Sequence, residues 1–167
     1  PLADFIAALP DLAASAVNPA TAEDSRQLAE EVRRVRWELP DRVRELRFCP
    51  IGISTSRQHP FKDLPSYRPM LVVSPFVEPG FLESLVPAQR EIKLISRPDT
   101  LALLPGELLK KLRGTWVIDP SSQDPEDDHV GEAGEPGLSG LHAKILVADD
   151  GWDARLYLGS ANATPAA

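Results

Sequence analysis

From Pro69 onward, short apolar runs alternate with stretches of helical character, and this alternation constrains the fold more than any other feature of the chain. The runs are Leu71 to Val77, Ile92 to Ser96 and Thr115 to Ile118, with helices expected from about Gly80 to Leu85 and Asp99 to Leu112. A β-α-β-α-β order needs crossover connections, so these strands are expected to lie parallel. Two further runs, Leu141 to Ala148 and Ala154 to Leu158, are separated by the hairpin signal Asp150-Gly151 and add antiparallel strands. The expected class is therefore α/β, with a mixed sheet flanked by helices.

Proline supports short elements over long ones: 17 of 167 residues are Pro, about twice the usual share. A coiled coil or long helical bundle is disfavoured. No apolar run approaches the roughly 20 residues of a membrane-spanning helix. Cys49 stands alone, so neither an internal disulfide nor a zinc site is expected, and a reducing cytoplasm is the default location. No secretory signal opens the chain, which starts at Pro1 without an initiator Met.

Residues 1 to 66 read as a separate N-terminal segment of unknown role, helical and then built of short extended pieces, ahead of an α/β domain over residues 67 to 167. A helix over Leu2 to Leu9 is expected to stop at Pro10. A second, capped by Thr21, runs to Arg34 and places Leu28, Val32 and Val35 on one face. Alternation at Val35, Trp37 and Leu39, and at Leu46 and Phe48, predicts short strands. The arginines between Arg33 and Arg47 are interleaved with acids, the pattern of an ordinary solvated face.

The formal charge is −7, and six of the acids fall between residues 121 and 138, a stretch with no Lys or Arg. The remainder is nearly neutral, so a polyanionic substrate is not excluded. This acidic, Gly-rich stretch reads as a surface loop, and His129 within it as a solvated side chain, because no metal-ligand spacing surrounds it.

Chemistry concentrates near the end of the chain. His142, Lys144 and Asp149 spell H-x-K-x4-D, and Gly159, Ser160, Ala161 and Asn162 spell G-S-x-N. With 3 His, 5 Lys and 13 Asp, the expected number of chance matches to the first motif is 3 × 5/167 × 13/167, about 0.007. Together the two motifs resemble the phospholipase D superfamily, and the stretch from Pro69 to Thr164 looks like one repeat of that fold. The interval from Asp149 to Gly159 is three residues longer than is usual in the family. A longer hairpin over Asp150 to Asp153 is expected to absorb the excess.

Strand geometry gives the spacing a physical sense of its own. Residues i and i+2 share a face, so His142 and Lys144 point together, as do Ser160 and Asn162 if their strand stays extended. An antiparallel neighbour then brings both pairs to one pocket. Asp149, at an odd offset from His142, falls on the opposite face, which predicts a supporting structural role for it rather than contact with substrate. Ser74 and Pro75, at the end of the first strand, either line the same pocket or merely end that strand. Lys93 and Arg97 are further cations within reach of a phosphate, and Trp116 and Trp152 read as packing or hairpin residues.

A neutral imidazole can attack phosphorus, which makes His142 the candidate nucleophile. Lys144, Ser160 and Asn162 supply positive charge and donors to the phosphate oxygens, and no metal or other cofactor is called for. The resemblance implies a catalytic set of His142, Lys144 and Asp149, a phosphohistidine intermediate, and a second motif whose histidine protonates the leaving group. Neither His59 nor His129 lies in such a motif. The second motif must come from a homodimer partner or from a missing part of a longer chain, and the stop five residues after Asn162 fits a domain truncated at its C-terminus. The expected function is phosphodiester hydrolysis, nuclease-like, with nucleic acid as substrate. The alternatives are phospholipid hydrolysis or phosphatidyl transfer, and a catalytically silent module that binds nucleic acid or dimerises.

Overall fold

The computed structural model describes residues 1–50, 64–88, 91–118, 141–160, 162 and 163. The chain divides into two compact units, Pro1–Asp63 and Leu64–Ala167. His59, His129 and the acidic stretch lie outside the described residues, as does Ala161.

The first unit is a helix pair followed by an extended strap. Helix α1 spans Leu2–Leu12 and continues past Pro10. Proline has no N–H for the carbonyl of Ile6 four residues back. The hydroxyl of Ser25, on the second helix, donates to that carbonyl at 2.5 Å, so the orphaned acceptor is satisfied and the helix need not stop. Helix α2 spans Pro19–Arg34 and starts earlier than expected: Asn18, not Thr21, is the cap, its side chain accepting from the Ala20 N–H at 2.8 Å, with Pro19 in the first turn. The buried positions are Ala3 and Ala29, whereas Leu28 is 49% exposed. The least exposed positions of α2 are Ala22, Ser25, Ala29 and Val32, so mostly small residues, and not the expected stripe of Leu28, Val32 and Val35, make its inner face. The strands expected at Val35 to Leu39 and at Leu46 to Phe48 do not form; residues 43 to 49 carry no regular structure, and Phe48 instead packs edge-on against Phe5, 5.6 Å between ring centres.

The second unit is α/β with a five-stranded mixed open sheet. The strands are β1 (Met70–Val73), β2 (Ile92–Ile95), β3 (Gly114–Trp116), β4 (Ile145–Asp150) and β5 (Asp153–Leu158), in spatial order β3-β2-β1-β4-β5. The first three are mutually parallel, and β4 is antiparallel to both β1 and β5. Helix α3 (Pro79–Leu85) joins β1 to β2, and α4 (Pro98–Leu103) and α5 (Gly106–Leu109) join β2 to β3. The single helix expected over Asp99 to Leu112 is thus split. Leu104, forced by the following Pro105 into extended geometry at ψ 140, breaks it.

One sheet face carries the core. Met70, Val72, Ile92, Leu94, Leu146 and Ala148 share it and are buried. Phe81, Leu82 and Leu85 of α3, with Leu104, Leu108 and Leu112, supply the buried helix layer. Burying side chains of this size contributes about 1.5–3 kcal/mol each.

Strand direction positions the site. The parallel strands all finish at one end of the sheet, β4 begins at that end, and β5, parallel in sense to β1, finishes there. Gly151 and Trp152 turn the chain at the opposite end.

Candidate active site

His142 and Lys144 precede β4 instead of lying within it, because the strand starts at Ile145. Both keep the parity of Leu146 and Ala148 on the approach to the sheet. The His142 imidazole is exposed and no described residue hydrogen-bonds it. Lys144 is half-buried, and its ammonium donates to the carbonyl of His142 at 3.1 Å. The pair therefore shares one small turn of surface. Across from it, the Gly159 N–H approaches the Lys144 carbonyl at 3.4 Å, extending the β4–β5 ladder one step beyond Leu158.

After Gly159 the chain leaves the ladder instead of staying extended, contrary to the expectation for Ser160 and Asn162. Ser160 sits in the bend and is exposed. Ala163 then forms a parallel bridge with Val77, beyond the end of β1. Its N–H donates to the Ser74 hydroxyl at 3.1 Å, and its carbonyl accepts from the Glu78 N–H at 3.0 Å. Asn162 is held by these neighbouring backbone bonds. Its own Oδ1 is buried and has no partner among the described residues, an arrangement that costs about 1–3 kcal/mol.

Ser74 is therefore a fastener. Besides accepting from Ala163, its hydroxyl donates to the carbonyl of Phe76 at 2.7 Å. The hydroxyl of Ser96 donates to the carbonyl of Ser74, and that of Thr100 to the carbonyl of Pro75, each at 2.7 Å. These three buried hydroxyls stiffen the carboxyl end of β1, where extended backbone would otherwise leave carbonyls unpaired. Ser74 and Pro75 thus mark the end of the strand, and the link from Ser74 to Ala163, 89 positions away, carries no sequence signal.

Asp149 lies near the far end of β4. Its Oδ1 accepts from the Gly151 N–H at 2.7 Å and so braces the hairpin, a structural task in keeping with its odd offset from His142. Seven residues of extended chain, about 20 Å, separate it from the imidazole. The four predicted contact residues, His142, Lys144, Ser160 and Asn162, thus all lie at one end of the sheet, and Asp149, expected to stand apart from them, lies near the other. The hairpin itself is tight, with only Gly151 and Trp152 between the paired residues Asp150 and Asp153, so the longer hairpin expected there does not form.

No family model, curated protein or solved structure matches this chain. The likeness to the phospholipase D superfamily rests on its residues alone. Among the described residues no group of three or more His, Cys, Asp or Glu gathers in a way that could hold a metal ion, and no helix is long and apolar enough to cross a membrane.

Proposed function

We propose that this chain carries a phospholipase D-like phosphodiesterase half-site, nuclease-like in its substrate, with His142 as the nucleophile. The observation that carries the reading is exposed His142, whose backbone carbonyl holds the Lys144 ammonium, at the end of the sheet where β1 and β2 finish and where Asn162 is tethered. Ligands of open α/β sheets favour that end.

In this scheme a nitrogen of His142 attacks phosphorus, a P–N bond forms, and the bond to the leaving oxygen breaks. The leaving oxygen takes a proton from a second histidine, contributed by another copy of the chain or by another part of a longer protein. Water then attacks the phosphohistidine, giving its proton back to that second histidine and releasing His142. Lys144 and the Asn162 carboxamide offset the charge that grows on the nonbridging oxygens, and Ser160 adds a hydroxyl donor. Lys144 spends one of its three donors on the His142 carbonyl, which leaves two for a phosphate oxygen.

A second reading is a catalytically silent module, in which the ammonium serves only to tie down the His142 carbonyl. Turnover of a small chromogenic phosphodiester separates the two. The enzyme reading expects hydrolysis that is lost in His142→Ala and kept in His129→Ala. Binding of a phosphodiester without turnover, alone or in the longer protein, supports the silent module.

A further inference from the structure

We propose that Phe76 and Arg97 form a nucleotide-binding platform beside the candidate active site, holding the unit of a single-stranded nucleic acid that flanks the reacting phosphate. The proposal rests on the phosphodiesterase reading of that site and adds to it a place for the rest of the substrate.

Phe76 lies two residues past Ser74 and one before Val77, the bridge partner of Ala163, so it is flanked by the segment that carries Asn162. Arg97 follows Ser96, whose hydroxyl is bonded to the Ser74 carbonyl. Both residues therefore sit at the finishing ends of adjacent parallel strands. β2 and β4 stand two strand spacings apart, about 10 Å. Arg97 is thus within a nucleotide's reach of His142 and Lys144.

The two side chains make a cation–π contact, with the guanidinium carbon 5.5 Å from the centre of the Phe76 ring. Asp99 pins the guanidinium through its Nε and Nη2, each at 3.2 Å. A guanidinium has a second edge, and the Nη1 side of Arg97 remains able to donate to a phosphate oxygen. Phe76 is 42% exposed although it is a large hydrophobic at the rim of a well-packed sheet, and the proposal gives the part of its ring not covered by Arg97 to a base. A cation on an aromatic ring is the pairing that sequence-tolerant binders of single strands use, the ring stacking a base and the cation meeting the backbone.

The test is fluorescence anisotropy with a labelled oligothymidylate, measured across a range of salt concentrations. Phe76→Ala is expected to weaken binding about tenfold, and Phe76→Leu, which keeps the apolar bulk, nearly as much, whereas Phe76→Tyr retains affinity. Arg97→Ala should lower the salt slope by about 0.7, one phosphate contact on a single strand, and Arg97→Lys should keep the slope. Trp152, fully exposed at the hairpin on the opposite end of the sheet, is the control, and Trp152→Ala should bind as the parent does. Equal affinity of Phe76→Leu and Trp152→Ala, or an unchanged salt slope in Arg97→Ala, overturns the platform. So does a parent chain that hydrolyses a small phosphodiester but does not bind the oligonucleotide, a result that leaves the phosphodiesterase reading standing.

Discussion

The hydroxyl of Ser74 accepts the backbone N–H of Ala163 at 3.1 Å, joining the end of β1 to the residue after Asn162. This bond is buried, and removing the hydroxyl leaves the Ala163 N–H and the Phe76 carbonyl without it. Ser74→Ala is expected to cost about 1–3 kcal/mol in urea unfolding, the penalty for a stranded buried donor. Because Asn162 depends on that backbone for its position, turnover should fall further than stability alone explains. Unchanged stability in Ser74→Ala contradicts the fastener role.

Lys144 offers a charge and not merely bulk. Lys144→Met, of similar length, is expected to lower kcat on a small phosphodiester by about 10²–10³, the usual cost of removing a donor aimed at developing negative charge. Lys144→Arg should recover little, since a forked guanidinium does not replace a compact ammonium. Full activity in Lys144→Met excludes the assigned role.

Asp149 and Gly151 serve the hairpin. Gly151 has φ 83, a conformation that an L side chain adopts at a cost of about 1–2 kcal/mol, so Gly151→Ala should lower the thermal midpoint. Asp149→Asn keeps the oxygen that accepts from Gly151 and should be nearly neutral to stability, while Asp149→Ala should lose about 1 kcal/mol. If Asp149→Asn melts like the parent but is inactive, Asp149 has a chemical role that its position at the far end of β4 does not suggest.

Much of this arrangement was legible beforehand, and the misses have local causes. Apolar runs at Leu71 to Val77, Ile92 to Ser96 and Leu141 to Ala148 mark β1, β2 and β4, because one face of each of these strands is buried. The α4–α5 break has its cause in Pro105, which holds Leu104 in extended geometry although the apolar pattern runs on through it. Continuation through Pro10 was not readable, since it depends on Ser25 reaching the carbonyl of Ile6. His142, Lys144 and Asn162 could be picked out because short motifs preserve residue type and spacing. Their tether was invisible because Ser74 and Ala163 meet only after the whole sheet is assembled.

Acid should loosen the helix pair. The Arg33 guanidinium on α2, hydrogen-bonded to Asp4 on α1 at 2.8 Å, holds the Asp4 carboxyl below its ordinary value. A carboxyl depressed on folding adds stability above its unfolded value and loses it as pH falls through the folded one. Helicity should therefore become less heat-resistant below about pH 4. Asp4→Asn should show a smaller loss over that range in circular dichroism melts; an identical acid dependence contradicts the contribution of the pair.

The most direct measurement is the trapping of the covalent intermediate. An active preparation is mixed with a phosphodiester carrying radioactive phosphorus, quenched in base and digested, and the labelled peptide is sequenced. The account predicts acid-labile, base-stable label on His142, absent from His142→Ala. Turnover that persists in His142→Ala, or label on any other residue, contradicts it.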